Sequence, residues 1–275
     1  MRVALISRVA RAVTGVSSVL RGLGHEPVGV LTTGLGGDRY GADTLGAIAE
    51  QASAGFDVVV AGSPSRIAPL LATLDADVAI SAAFPLLVPA DALSVPRLGI
   101  VNTHPSLLPR YRGPNPIGWT VRNGDREVGY SIHRMDLDFD TGRLLAQGTT
   151  PIHDAERSED VFARMFALLS SLLPEALARV EAGDPGDPQP AEGASYAGFF
   201  EPEYAEIDWA RRRAEIRCQV LAWGVAALRP GQHGPVATVD GRHVRVLRVR
   251  DDDSEGGTRM QCADGPLWLV ATEPA

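Results

Sequence analysis

The residues of this chain best suited to chemistry crowd into one stretch, Asn102 to Asp140. It opens NTHPSLLPRYRGPNPIGW, runs through a segment of strand and turn character, and closes on DTG. An amide and an imidazole two positions apart, Asn102 and His104, are followed by a carboxylate, Asp140, and the set suits acyl transfer to an amine. Histidine titrates near neutrality and can accept the proton that an attacking ammonium must lose. The Asn102 carboxamide offers N–H donors to a carbonyl oxygen that turns negative during attack. Asp140 would orient the imidazole and stabilise its charged form. Pro105 and Pro109 fix the backbone on either side of a short bridge, and rigidity matters because misplacing a base by about an ångström is costly in rate.

Blander readings compete at each of these positions. Asp136, Asp138 and Asp140 begin a D-x-D-x-D pattern like that of a calcium loop. The next position should be glycine and is Thr141, and the twelfth should be glutamate and is Gln147, so no metal is expected. Gly142 permits a tight turn that would carry Asp140 back towards His104. The glycines of GLGGDRYG (34–41) follow the second strand rather than the first, and the turn after the first strand, Ser7-Arg8-Val9, has no glycine. A dinucleotide fingerprint needs the opposite arrangement, so this run reads as a mobile loop. His133, in GYSIHRMD, reads as a strand residue with a satisfied ring. Arg211, Arg212 and Arg213 are ringed by acids and read as a solvated helix face.

The elements that must position these residues form a strand-helix alternation. RVALI, EPVGVLTT, FDVVVAG, DVAISAA and GIVNTH read as strands, and GYSIHRMDL as a returning one. Val13, Val16, Leu20 and Leu23 recur at helical spacing before Gly24, with further helical patterns at 44–52 and 66–74. The fold class is therefore α/β: a doubly wound, mainly parallel sheet, with ligands gathering at the carboxyl ends of its strands, where Asn102 and His104 fall. Ser158 reads as the cap of a long apolar helix that Pro174 bends or ends. GDPGDPQPAEGAS (183–195) is rich in glycine and proline and reads as a linker. It separates a catalytic domain, 1–182, from a smaller β-rich domain, 196–275, in which Asp240-Gly241 signals a hairpin.

Composition sets bounds on function. The chain has 275 residues, 45% hydrophobic and 22% charged, with a formal net charge of −8 and no lysine. Acidity of this kind argues against tight binding to a phosphate backbone. Cys218 and Cys262 lie far apart, outside any CxxC pair, and are expected as free thiols. Arg8 and Arg11 interrupt the apolar N-terminus, no run approaches the roughly 18 apolar residues of a membrane helix, and a cytoplasmic location is expected.

At these residues the sequence resembles the folate-dependent formyltransferases. NTHPSLLPRYRGPNPIGW is similar to that family's asparagine-x-histidine and SLLP signature, and MDLDFDTGRLLAQ to its aspartate-containing segment. The resemblance is most specific from about residue 100 to 152, and runs more weakly over the N-terminal sheet and EIDWARRRAEIRCQVLAWG. It implies a Rossmann-like formyltransferase domain, an OB-like C-terminal domain, and 10-formyltetrahydrofolate as formyl donor. His104 would be the base, Asn102 the oxyanion partner and Asp140 the histidine's support. Phe84, Leu86, Leu87, Val88 and Asp138 would hold the donor. For the acceptor, the short non-basic loop after the second strand and the acidic DDDSE tail favour a small-molecule amine, an amino sugar nucleotide or hydroxyornithine. Methionyl-tRNA is the alternative, hydrolysis of the donor a third reading, and a homodimer is left open.

Overall fold

The protein is described by a computed structural model covering residues 1–34, 44–50, 56–153, 156–229, 231–253 and 255–275. From residue 35 onward, the glycine run read as a mobile loop lies outside the described residues. The first strand explains the architecture. β1 (Arg2–Ser7) alternates its side chains, with Val3 and Leu5 entering one apolar cluster and Ala4 and Ile6 another. A strand buried on both faces reads as an unbroken apolar run, which is why VALI lacks polar alternation.

Around it lie β2 (Glu26–Thr32), β3 (Asp57–Val60), β4 (Val78–Ala82), β5 (Ile100–His104), β6 (Glu127–Arg134) and β7 (Leu144–Pro151). Their spatial order is β3-β2-β1-β4-β5-β6-β7. Pairing is parallel from β3 through β5, and β6 runs antiparallel to β5. One face is covered by α1 (Ala10–Gly22) and by α6 (Ser158–Glu181) through Leu169, Leu173, Ala176, Leu177 and Val180. The other is covered by α3 (Ile67–Ala72) and α4 (Ala90–Leu93), after the short α2 (Thr44–Ala49) in chain order. This is the doubly wound α/β sheet expected from the sequence.

α6 begins at Ser158 and continues through Pro174 to Glu181, so the proline sits inside the helix without ending it. By length and composition alone α6 could cross a bilayer. Its leucines are instead spent on the core just described.

The chain divides into two compact units. One comprises residues 1–113, 129–149 and 166–196, and the other 114–128, 150–165 and 197–275. The sequence reading placed a single break at 183–195, whereas these units are discontinuous. Residues 183–195 also carry more structure than their composition suggests. Asp187 exchanges both backbone hydrogen bonds with Leu144, and Arg143 Nε donates to Gly186 O at 2.7 Å. Gly186 has φ +85°, and a Cβ there would lie 2.7 Å from Leu144 O, so the close approach depends on glycine.

The second unit contains α5 (Pro116–Arg122), α7 (Arg213–Gly224), β8 (Val236–Val239), β9 (Arg242–Arg250), β10 (Thr258–Cys262) and β11 (Gly265–Pro274). The last four form an antiparallel sheet of order β10-β11-β9-β8. A fifth strand, as in an OB barrel, is not among the described residues. Asp240 and Gly241 both have positive φ, as the two-residue hairpin between β8 and β9 requires. Arg122 lies over the rings of Trp119, Phe200 and Tyr204 while pairing with Glu201. Cys218 and Cys262 are free.

Leu173 is essentially unexposed in the larger core. Leu173→Ala should cost about 2–5 kcal/mol in chemical denaturation, because the rigid surroundings cannot refill the void.

Candidate active site

Strand register builds the site. Asn102 and His104 are two residues apart on β5, so both point to the same face, and the antiparallel pairing places His133 of β6 opposite Asn102. The turn after β6 then returns Asp140. A Cβ on Gly142 would fall 1.7 Å from Arg134 O, so the turn can approach β6 this closely only with glycine. Asp136 Oδ1 steadies the turn by accepting from Thr141 Oγ1 at 2.7 Å and, more distantly, from the Asp138 N–H. Asp140 itself has φ +58° and Tyr111 φ +59°, left-handed conformations that cost energy in non-glycine residues and cluster at functional sites.

The SLLP loop is pinned from beneath. Ser131 Oγ accepts from Leu108 N–H and donates to Ser106 O, and Gln147 Nε2 donates to both Leu108 O and Ser131 Oγ. Ser106 Oγ closes the loop on Arg110 O at 2.7 Å.

Asp140 is the centre of the constellation. Its Oδ1 lies 3.4 Å from His104 Nδ1, 3.1 Å from Asn102 Nδ2 and 3.6 Å from His133 Nε2, and its Oδ2 accepts from Gly113 N–H at 2.8 Å. The structure therefore brings together the three residues that the sequence marks as catalytic candidates. It adds His133, which is 2% exposed and sits against both Asn102 and Asp140 rather than merely filling the strand. No spacing in the sequence marks His133. Only the antiparallel register of β5 and β6 reveals it.

The hydrogen bonds settle which ring nitrogen is which. Tyr111 O can only accept, so His104 Nε2 carries the proton and donates to it at 2.8 Å. His104 Nδ1 is thus the basic nitrogen and faces the carboxylate. By the same argument His133 Nδ1 donates to Arg134 O at 2.8 Å, and its Nε2 accepts from Asn102. Both Asn102 N–H groups are then taken, one by Asp140 and one by His133. To serve a developing oxyanion, Asn102 must exchange one of these contacts, both longer than 3 Å.

Burial pushes the His104 imidazole below its ordinary 6.5, against the upward pulls of Asp140 and the Tyr111 carbonyl. Burial alone would raise Asp140, but His104, His133 and the Gly113 N–H outweigh it and hold the carboxyl down to about 2. The two directions agree on a neutral ring beside an ionised carboxylate at neutral pH. Asn102 and Gly113 continue to donate to that carboxylate when the ring is uncharged. A base that is unprotonated at rest, beside an acid that stabilises its proton once gained, is the pairing that amine attack on an acyl carbon requires.

The residues expected to hold the donor occupy two loops. Residues 84–88 follow β4, whose last residue, Ala82, pairs with Thr103 beside His104. Val88 is buried and Phe84 packs on the same apolar cluster, so these two anchor the loop. Leu86 is half-buried and Leu87 exposed, and Asp138 is exposed in the turn before Asp140. Backbone hydrogen bonds hold the loop at its two ends, with Arg8 N–H donating to Ala83 O and the Ala92 and Leu93 N–H groups donating to Pro89 O. Exposed Leu87, Leu107, Leu137 and Phe139 lie in these two loops and the SLLP loop. Exposed apolar side chains on adjoining loops suit a flat heterocycle, so the residues fit a pterin.

Fold and site define a group transferase working at a carbonyl carbon. The chain matches the family model described as formyl transferase over residues 56–177. It is 34% identical over 264 residues to the methionyl-tRNA formyltransferase of Sinorhizobium medicae, an alignment covering 93% of this chain and 83% of that protein. Its fold is similar to HypX from Aquifex aeolicus, solved with tetrahydrofolic acid (TM-score 0.74, 18% identity), with 99% of this chain matching 44% of HypX. It is also similar to a sugar N-formyltransferase from Shewanella sp. FDAARGOS_354 (TM-score 0.66, 18% identity; 90% of this chain, 96% of that one). The chain belongs to the folate-dependent formyltransferase family, and its formyl donor is the family's 10-formyltetrahydrofolate.

His104→Ala should lower turnover at least about a hundredfold with donor binding retained, measured by single-turnover kinetics and donor titration. Because the folded His104 pKa lies below 6.5, the acidic limb of kcat/KM should fall at a pH under 6.5. Both depressed groups also make folding acid-sensitive: stability should decline as pH drops below 6.5, and again between about 3.8 and about 2 as Asp140 protonates. Gly142→Ala should remove most activity while circular dichroism stays unchanged, since only the Asp140 turn must shift.

Proposed function

We propose that the enzyme transfers the formyl group of 10-formyltetrahydrofolate to the α-amino group of methionyl-tRNA. The bound donor supplies a carbonyl carbon activated by its nitrogen substituent. His104 Nδ1 takes the proton that the attacking ammonium gives up, and Asp140 stabilises the resulting imidazolium. Asn102, exchanging one internal contact, donates to the oxygen that gains negative charge. The new N–C bond replaces the bond from the formyl carbon to the donor nitrogen, which leaves with a proton.

One observation carries the choice of acceptor. The 34% identity to a methionyl-tRNA formyltransferase extends over 264 residues, through the catalytic sheet and into the C-terminal one. A small-molecule amine, the acceptor expected from the sequence, keeps support from charge. Residues 196–275 hold ten arginines against twelve acids. Arg211, Arg213, Arg217, Arg245, Arg248 and Arg250 are all ion-paired, which leaves little positive charge for a phosphate backbone.

The test presents the purified protein and 10-formyltetrahydrofolate with methionyl-tRNA, with amino-sugar nucleotides and hydroxyornithine, and with no acceptor. Formyl-methionyl-tRNA formed at a rate that falls steeply with ionic strength is the expected result. Transfer confined to a small amine, with flat salt dependence, would overturn the tRNA reading. Formate released at the same rate without acceptor would point to hydrolysis.

A further inference from the structure

His104 depends on two partners, the Asp140 carboxylate at Nδ1 and the Tyr111 carbonyl at Nε2. Neither is held by its own segment alone. Gln189 donates through Nε2 to Asp140 O at 2.9 Å and to Gly142 O at 2.7 Å, gripping the turn on both sides of Thr141. Its Oε1 accepts from Arg112 Nε and Nη2, at 3.2 and 2.6 Å, next to Tyr111 and Gly113. One side chain thereby joins the two loops that meet at the carboxylate, and all four hydrogen-bonding directions used are of the right sign for an uncharged amide.

Ser195 performs the matching task at the other nitrogen. Its Oγ accepts from Tyr111 N–H at 2.9 Å, its carbonyl accepts from Arg112 N–H at 2.9 Å, and its own N–H donates to Pro109 O. These bonds hold Tyr111 in its left-handed conformation, and that conformation aims the carbonyl which takes the His104 proton.

We propose that residues 187–196 form a positioning strap, in which Gln189 and Ser195 set the distances from His104 to its two partners and so fix its basicity and alignment. The strap touches no reacting atom. It acts through Asp140 and Tyr111, and it occupies the segment whose glycine- and proline-rich composition suggests only a connector. The inference rests on the formyl-transfer reading for its rate prediction, but not for its effect on His104.

Three variants separate the contacts. Gln189→Ala removes both ends of the bridge. Gln189→Glu keeps the acceptor for Arg112 and replaces the two donated hydrogen bonds by a carboxylate facing Asp140 O and Gly142 O. Ser195→Ala frees Tyr111 N–H. Two readouts are taken on the full-length protein: steady-state formyl transfer across pH, and NMR titration of the His104 ring, assigned by the resonance absent from His104→Gln. Asp140 raises the His104 pKa, so loosening it should move the ring titration and the acidic limb to lower pH. In both Gln189 variants kcat should fall about ten- to a hundredfold with donor KM changed less than threefold, the scale expected for a misplacement of about an ångström. Ser195→Ala should lower kcat with the same split.

Wild-type-like kcat and titration in Gln189→Ala would overturn the proposal. So would full activity in Gln189→Glu, because the Arg112 link alone would then suffice. If Gln189→Ala does not fold, the Glu variant, with Arg112 still paired, decides. A wild-type protein that transfers no formyl group would sink the functional reading, yet the NMR shift would still answer for the strap.

Discussion

A buried negative charge organises this molecule. Asp140 is 9% exposed, and an ionised carboxylate there is tolerable only because donors surround it. Those donors arrive from places far apart in the chain, Asn102 from a strand and Gly113 from the loop beyond SLLP, while the rings of His104 and His133 close in from β5 and β6. Each contact has a counterpart in backbone geometry. The left-handed turn at Asp140, the close pass at Gly142 and the antiparallel register of β5 with β6 all serve to bring one oxygen to the meeting point.

The same charge divides labour between the two imidazoles. His104 and His133 lie at similar distances from Asp140 Oδ1 but differ in what their second nitrogen does. His133 is closed by the adjacent Arg134 carbonyl and accepts from Asn102, so its lone pair is spent within the site. His104 keeps its basic nitrogen against the carboxylate, where an incoming proton is stabilised at once. His133 therefore orients Asn102, while His104 is the ring placed to take up a proton.

Much of this was legible in the sequence. The unbroken apolar runs gave β1 and β4, helical spacing gave α1, and Asn102, His104 and Asp140 stood out by type and by the prolines and glycine around them. What stayed hidden depends on pairing rather than on composition. His133 joins the site because a strand runs antiparallel to β5, and no local pattern announces register. Gln189 and Ser195 escaped notice because glycine and proline signal loose chain. Here those residues lie in a segment tied through Gln189 and Ser195 to the loops that carry Asp140 and Tyr111. The acceptor was the hardest property to read, since bulk charge and similarity to whole relatives point in different directions.

The order in which the strap and the trio occur along the chain has a consequence for biogenesis. All three catalytic side chains have left the ribosome's peptidyl centre by residue 142, whereas the residues that lock their spacing follow some fifty positions later. The strands of the parallel sheet precede the segment that ties the two loops together, so their alignment depends on a contact made far along the chain. Completion of the site's geometry is thus a long-range closure, the class of contact whose loop-entropy cost slows folding.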